Sequence, residues 1–388
     1  MEELLYRYNP WWEGDFSLSG IVSRQSIIES LLRHLKTKDV VFLTGLRRIG
    51  KTTILKLFIK ELIDAKAVDP KYIFYISLDD YLLTKKSVLE IVEEYRKLKR
   101  IRFREKIFLF LDEIAYKGDF EIQLKNLFDS QNVKIYASSS SASVIKTRKP
   151  YLTGRGSIFE VLPLDFNEYM KFKNIALSKS DEHLLAGYFE DYLFTGGVPE
   201  YVLRGDIEYL KELVDDIIYK DISVFYSIKK PQILKDFFLL LMERAGKAVS
   251  INKIANILKI SPDTARRYLE MFADTFLIYL VPRCGKTNER ILSPKKIYAA
   301  DIGIRNIFTG FRDKGSLFEN YIYLKIKNQK PCYIYENGIE IDFMTEDKAL
   351  IEVKYMNEMT LKQKSLFEKI KARKKIVIKG PRDIQSLG

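Results

Sequence analysis

Eight residues near the start of the chain, Gly45-Leu46-Arg47-Arg48-Ile49-Gly50-Lys51-Thr52, have the spacing of a phosphate cradle, G-x-x-x-x-G-K-[ST]. Gly45 and Gly50 permit backbone dihedrals closed to residues with a Cβ, so successive N–H groups can turn toward an anion. A helix starting at Gly50 or Lys51 and running on through Thr53 aims its positive end at the phosphates. Lys51 supplies a point charge for the β- and γ-phosphates, and the Thr52 hydroxyl is placed to ligate Mg2+. Further on, Ile107-Phe-Leu-Phe-Leu-Asp112-Glu113 is an apolar strand ending in two acids. Asp112 suits the Mg2+ shell. Glu113 suits polarising an attacking water, the role that separates hydrolysis from binding.

These residues need a sheet to hold them. Residues from about 20 to 175 alternate apolar runs with helical patterns, with strands expected near 39–44, 72–77, 107–111, 133–137 and 158–162. That is a parallel, doubly wound α/β pattern, whose ligands sit at the carboxyl ends of the strands. The fourth strand runs into Ser138-Ser139-Ser140-Ser141, with Ser139 the candidate γ-phosphate sensor; a serine-rich turn is the plain alternative. Thr153-Gly154-Arg155-Gly156 reads as a loop whose Arg155 could reach a γ-phosphate in its own or a neighbouring subunit.

Residues from about 165 to 245 read as helical. Ser250 to Met271 reads as helix–turn–helix, with Ser261 and Pro262 a good N-cap and first-turn pair for the second helix. Two β-type runs follow, which suggests a winged variant with Arg266 and Arg267 facing DNA; a packing or lid role is the alternative. After about residue 310, Ile339-Glu-Ile-Asp342-Phe and Ile351-Glu352-Val-Lys354 read as two strands joined at Glu346-Asp347-Lys348. A turn near Asp347 sets Asp342 opposite Glu352, with Glu352 and Lys354 on one face. Opposed carboxylates repel unless a cation lies between them. With Glu319 on the preceding helix, the group has the logic of metal-dependent phosphodiester cleavage, using Mg2+ or Mn2+. A surface ion pair between Asp342 and Lys354 is the alternative.

Composition narrows the choices. At 388 residues, two or three domains are expected. The apolar fraction of 47% supports sizeable cores. No apolar stretch reaches bilayer-spanning length and the N-terminus lacks a signal-peptide pattern, so the expectation is a cytoplasmic protein with no membrane partner. Cys284 and Cys332 cannot make a disulfide framework or a zinc site. With only two histidines, His34 and His183, histidine-based metal or triad chemistry is disfavoured. The net charge is +13, and residues 283–388 hold 22 Lys and Arg against 13 Asp and Glu, a local surplus of +9. A basic surplus is the footprint of a polyanion partner, or simply a solvated basic face.

Taken together, the motifs resemble the archaeal and prokaryotic AAA+-like ATPases related to STAND proteins, whose C-terminal half is a restriction-endonuclease-like domain of unknown function. The matching runs are residues 45–53, Phe-Leu-Asp-Glu-Ile (110–114), the serine-rich end of the fourth strand and Leu-Thr-Gly-Arg (152–155). Further along they are Leu-Pro-Leu-Asp-Phe-Asn-Glu-Tyr (162–169), Gly-Gly-Val-Pro-Glu-Tyr (196–201), Tyr-Lys-Asp (219–221), Lys-Ile-Tyr-Ala-Ala-Asp-Ile-Gly (296–303), Phe-Glu-Asn (318–320), and Glu-Ile-Asp-Phe with Ile-Glu-Val-Lys.

The resemblance implies ATP or ADP bound by Gly45 to Thr53, Mg2+ held by Thr52 and Asp112, Glu113 as general base, and Arg155 as γ-phosphate sensor. It also matches Glu319, Asp342, Glu352 and Lys354 to the PD-(D/E)xK nuclease pattern. The usual sensor is Asn or Thr, whereas serine stands here. The expected architecture is a P-loop parallel sheet (1–175), a helical lid (176–245), a winged helix-turn-helix (246–310) and a small nuclease-like α/β domain (311–388). The expected function is DNA-directed ATP hydrolysis; the alternatives are a STAND-like regulatory switch with an inert C-terminal interaction domain and a DNA-translocating ring. A homo-oligomer or a protein partner is left open.

Overall fold

The computed structural model describes residues 1–14, 16–141 and 155–387. The chain forms two compact units, Met1–Val161 and Leu162–Gly388.

The first unit is built on five parallel strands: β1 (Val40–Thr44), β2 (Ile73–Ser77), β3 (Ile107–Asp112), β4 (Val133–Ser139) and β5 (Gly156–Glu160), in the order β2-β3-β4-β1-β5. The central runs are apolar without alternation because helices cover both faces. All of β1, β3 and β4 is buried. Helix α3 (Lys51–Asp64) sets Phe58 edge-on against Phe110 of β3 and Tyr136 of β4, at 6.0 and 4.9 Å between ring centres. Helix α4 (Val88–Lys99) starts at a Ser87–Glu90 capping box. With every strand parallel, Thr44, Ser77, Asp112 and Ser139 finish on one edge of the sheet.

The N-terminal residues close the open side of β2. After helix α1 (Glu2–Tyr8), the Asn9 carboxamide donates to the Tyr75 carbonyl at 2.9 Å and accepts from the Tyr75 N–H at 2.7 Å. The Trp11 and Trp12 indoles both donate to the Ile73 carbonyl, at 3.2 and 3.0 Å. Side chains thus take up backbone groups of β2 that a neighbouring strand would otherwise pair.

The second unit begins with helices and ends with a sheet. Helices Ile251–Leu258 and Pro262–Asp274 accompany three antiparallel strands, β6 (Ala248–Val249), β7 (Ile278–Val281) and β8 (Lys295–Ala299), ordered β6-β8-β7. Helix Lys314–Ile326 precedes a four-stranded sheet, β12 (Lys374–Ile378), β11 (Ala349–Val353), β10 (Ile339–Met344) and β9 (Cys332–Glu336), in that order, with β11 and β12 parallel. Cys284 and Cys332, expected to build no framework, do make one disulfide, with Cα atoms 5.1 Å apart. Their 48-residue separation concealed the proximity.

Two sequence runs in this unit are halves of one contact. Asp301 caps helix Ile302–Thr309 by accepting from the Ile304 N–H at 2.9 Å, and it also accepts from the Gly197 N–H at 2.6 Å. A Cβ on Gly196 would lie 2.4 Å from the Gly303 nitrogen, and one on Gly303 would lie 2.0 Å from the Thr195 carbonyl. Burial pushes the Asp301 carboxyl up to about 6, against the pull of N–H groups from Gly197, Ile304 and Gly303. The folded state therefore keeps a proton that the unfolded chain has released, and stability falls as pH rises from about 4 to about 6. Asp301→Asn should remove that slope, which amounts to about 3 kcal/mol at most. Denaturant unfolding of both proteins between pH 4 and 7 measures the difference.

Candidate nucleotide site and C-terminal carboxylate cluster

The loop between β1 and α3 has the backbone that the cradle requires. Gly45 has φ +138°, and a Cβ there would meet the Val161 carbonyl at 2.4 Å. Gly50, the residue before α3, has φ +92°. Lys51 is buried, and its ammonium folds back to donate to the carbonyls of Gly45 and Leu46, at 3.1 and 3.0 Å. Those are weak neutral acceptors, which phosphate oxygens can replace.

The acids at the end of β3 are held by donors from one helix and two neighbouring strands. Asp112 accepts from the Thr52 hydroxyl at 2.6 Å, from the Tyr75 phenol at 2.8 Å, and from the Ser138 hydroxyl. Burial, then the Asp112 charge, pushes the Tyr75 phenol up, so it stays a donor at any ordinary pH. Thr52 and Asp112 supply hard oxygens, the donor chemistry that Mg2+ takes. Glu113 stands at φ +52°, a conformation that non-glycine residues seldom adopt. Its N–H donates to Ser138 at 3.0 Å, and its carboxylate accepts from the Ser140 hydroxyl at 2.7 Å. Such left-handed residues gather at functional sites, where the surroundings hold them.

Other expected residues lie elsewhere. Ser139 turns from the acids to its own turn, accepting from the Ser141 N–H at 3.1 Å; its neighbours Ser138 and Ser140 reach Asp112 and Glu113 because strand side chains alternate. Arg155 is displaced more fundamentally. Its carbonyl accepts from the Val40 N–H at the entry end of β1, and its guanidinium pairs with Asp129 at 3.3 Å. It therefore sits at the edge of the sheet opposite the cradle, too far to sense a phosphate in its own subunit. Thr153 and Gly154 lie outside the described residues. Arg266 and Arg267 are exposed on helix Pro262–Asp274, with Arg266 paired to Asp263 at 2.6 Å.

The C-terminal acids do converge, around a residue the sequence reading passed over. On the antiparallel pair β10 and β11, Phe343 faces Ile351, so Asp342 and Glu352 come next. The Glu352 carboxylate accepts from the Asp342 N–H at 3.1 Å, and the Asp342 carboxylate accepts from the Val353 N–H at 2.9 Å. Lys354 pairs with Glu352 at 2.7 Å. In the middle stands Lys296 of β8, fully buried, its ammonium 2.6 Å from Glu319, 2.8 Å from Glu340 and 3.6 Å from Asp342. Tyr298 donates to Glu319 at 2.5 Å. Burial, then the Asp342 charge, raises both Glu319 and Glu352 above the usual carboxylate range.

A lysine thus occupies the centre where the sequence reading expected a divalent cation. Among the described residues, no group of three or more His, Cys, Asp or Glu side chains is disposed to hold a metal ion. The cue available in the sequence was the position of Lys296 within β8, directly before the apolar run Ile297-Tyr298-Ala299-Ala300. Lys296→Met should destabilise the second unit by about 3–5 kcal/mol, because it leaves buried carboxylates uncompensated. The loss should be larger at pH 8 than at pH 5, where Glu319, which burial holds above the usual carboxylate range, can take up a proton. Unfolding curves at the two pH values measure it.

Among the described residues, no helix is long and apolar enough to cross a membrane. A family model described as AAA domain matches residues 37–170, and a second, a domain of unknown function (DUF8612), matches residues 186–315. The chain is 31% identical to the uncharacterized protein MJ1544 of Methanocaldococcus jannaschii over 344 residues, covering 83% of this chain and 76% of that protein. It is 26% identical to MJ1637 of the same organism, covering 88% and 80%. Among solved structures, a Walker-type ATPase of Pyrococcus abyssi, PABY2304, is 17% identical with a TM-score of 0.44, covering 75% of this chain and 97% of that one. The Aeropyrum pernix ORC1 protein, solved with DNA, is 12% identical with a TM-score of 0.34, covering 77% and 95%. A P-loop AAA domain on a five-stranded parallel sheet, continued by a second unit, is the architecture of this chain, and the chain belongs to the same family as MJ1544.

Proposed function

We propose that this chain binds and hydrolyses ATP in the AAA+ manner and acts on DNA through its second unit. The single observation that carries the ATPase reading is the meeting of Lys51, Thr52, Asp112 and Glu113 on one edge of the sheet. Lys51 would exchange the Gly45 and Leu46 carbonyls for β- and γ-phosphate oxygens. Thr52 and Asp112 would hold Mg2+, which neutralises phosphate charge when bound. Glu113 would orient a water and accept its proton, once released from Ser140.

The DNA reading is supported by the helix pair 251–274, read as a winged helix-turn-helix with strands β7 and β8. Arg266 and Arg267 are exposed on its second helix, and the last hundred residues carry the basic surplus. The PD-(D/E)xK reading adds Glu319, Asp342, Glu352 and Lys354 as a nuclease-like group. One observation favours a second reading, a STAND-like switch whose C-terminal part binds a partner without cutting: the Lys296 ammonium already fills the carboxylate group.

Purified protein should turn over ATP, and faster with one of duplex, junction or single-stranded DNA if DNA is the target. Lys51→Ala should abolish nucleotide affinity, and Glu113→Gln should bind ATP but turn it over at least ~100-fold more slowly. Unchanged nucleotide affinity in Lys51→Ala would reject the cradle. Titration of Mn2+ in the absence of nucleotide separates the two readings. Saturable binding that Asp342→Asn removes, with cleavage of DNA, supports the nuclease; no binding and no cleavage supports the switch.

A further inference from the structure

Tyr75 belongs to no phosphate-binding motif, and a strand of type Ile73-Phe-Tyr-Ile-Ser77 gives it only a packing role. Its phenol nevertheless donates to the same Asp112 oxygen that accepts from Thr52. The reach follows from the register. Tyr75 faces Phe110 on β3, two residues before Asp112. Two residues of strand span about 6.6 Å, which is close to the length of a tyrosine side chain lying along the strand. A shorter polar residue at this position would stop short of the carboxylate.

Tyr75 is itself restrained on every side. Asn9 brackets its backbone with two hydrogen bonds. The Tyr8 ring lies 6.1 Å away, and the Tyr8 phenol is tied to Asp80 at 2.8 Å. The Lys56 ammonium of α3 sits over the Tyr75 ring at 5.7 Å. The N-terminal segment therefore braces a strand residue that touches a carboxylate of the nucleotide site.

We propose that Tyr75 is a positioning residue for Mg2+ bound with nucleotide: braced by Tyr8 and Asn9, its phenol fixes the Asp112 carboxylate in the orientation the metal needs. With one lone pair of the shared oxygen engaged by Tyr75 and another by Thr52, and the second oxygen held by Ser138, the carboxylate cannot rotate. Thr52 can donate to Asp112 and still present a lone pair to a cation. Tyr8 and Asn9, which precede the matched AAA region, thereby support its metal site through Tyr75. The inference rests on the nucleotide reading above.

The test measures binding of a fluorescent N-methylanthraniloyl-ADP to the full chain, with Mg2+ and with EDTA. Wild-type protein should bind more tightly with Mg2+. Tyr75→Phe should lose about tenfold of that Mg2+-dependent gain, the worth of one hydrogen bond to a charged group. Its affinity in EDTA should match the wild type, and its unfolding temperature without nucleotide should fall only by the small amount that one hydrogen bond accounts for. A gain equal to the wild type's overturns the inference. So does an equal loss in EDTA, or a large drop in unfolding temperature, either of which marks a purely structural role. Wild-type protein that binds no nucleotide under either condition sinks the cradle assignment itself, and the inference with it.

Discussion

The orientation of one carboxylate, Asp112, organises the first unit. It lies at the end of a central strand, and its three donors come from three different elements: Thr52 from α3, Tyr75 from β2 and Ser138 from β4. That convergence depends on parallel pairing, which brings all the strand ends to one edge. A shift of any strand by one residue would turn its donor to the opposite face. The apolar β3 run is buried along its whole length, and the charged end is carried into place by the packing of the apolar part.

Glu113 follows directly but is governed differently. Its left-handed backbone turns the chain away from the strand line, and Ser140 holds its carboxylate. Adjacent acids thus receive distinct environments from alternate serines at the end of β4, the Ser138 hydroxyl on Asp112 and the Ser140 hydroxyl on Glu113.

The second unit solves a different electrostatic problem. Four acids, Glu319, Glu340, Asp342 and Glu352, crowd against two lysines, Lys296 and Lys354. Isolated buried charges are costly, so the unit interleaves cations and backbone N–H groups with them. The Asp342 and Glu352 carboxylates each accept from the backbone of the other's strand, which converts a repulsive cross-strand pair into part of the ladder. The Asp301 contact with Gly196 and Gly197 shows the same economy: one buried carboxylate satisfies N–H groups from two segments about a hundred residues apart.

Local pattern was enough for much of this. The cradle glycines, Lys51 and Thr52, the apolar strand ending in Asp112 and Glu113, and the parallel α/β character all follow from residue types at fixed short spacings, because phosphate binding and strand burial are local demands. Long-range partners were not legible. Tyr75 looked apolar, Lys296 looked like one strand residue among many, Asn9 and the paired tryptophans carried no periodic signal, and Cys284 and Cys332 were too far apart to pair on paper. Arg155 was misplaced for the same reason: its loop could be read, but the end of the sheet at which it emerges depends on which strand β5 joins. The sequence by itself determined that the chain carries the residue pattern of phosphate chemistry. Only the tertiary structure decided which side chains steady that chemistry, and that a lysine rather than a bare carboxylate group stands at the centre of the C-terminal cluster, because both depend on contacts between segments that no spacing rule connects.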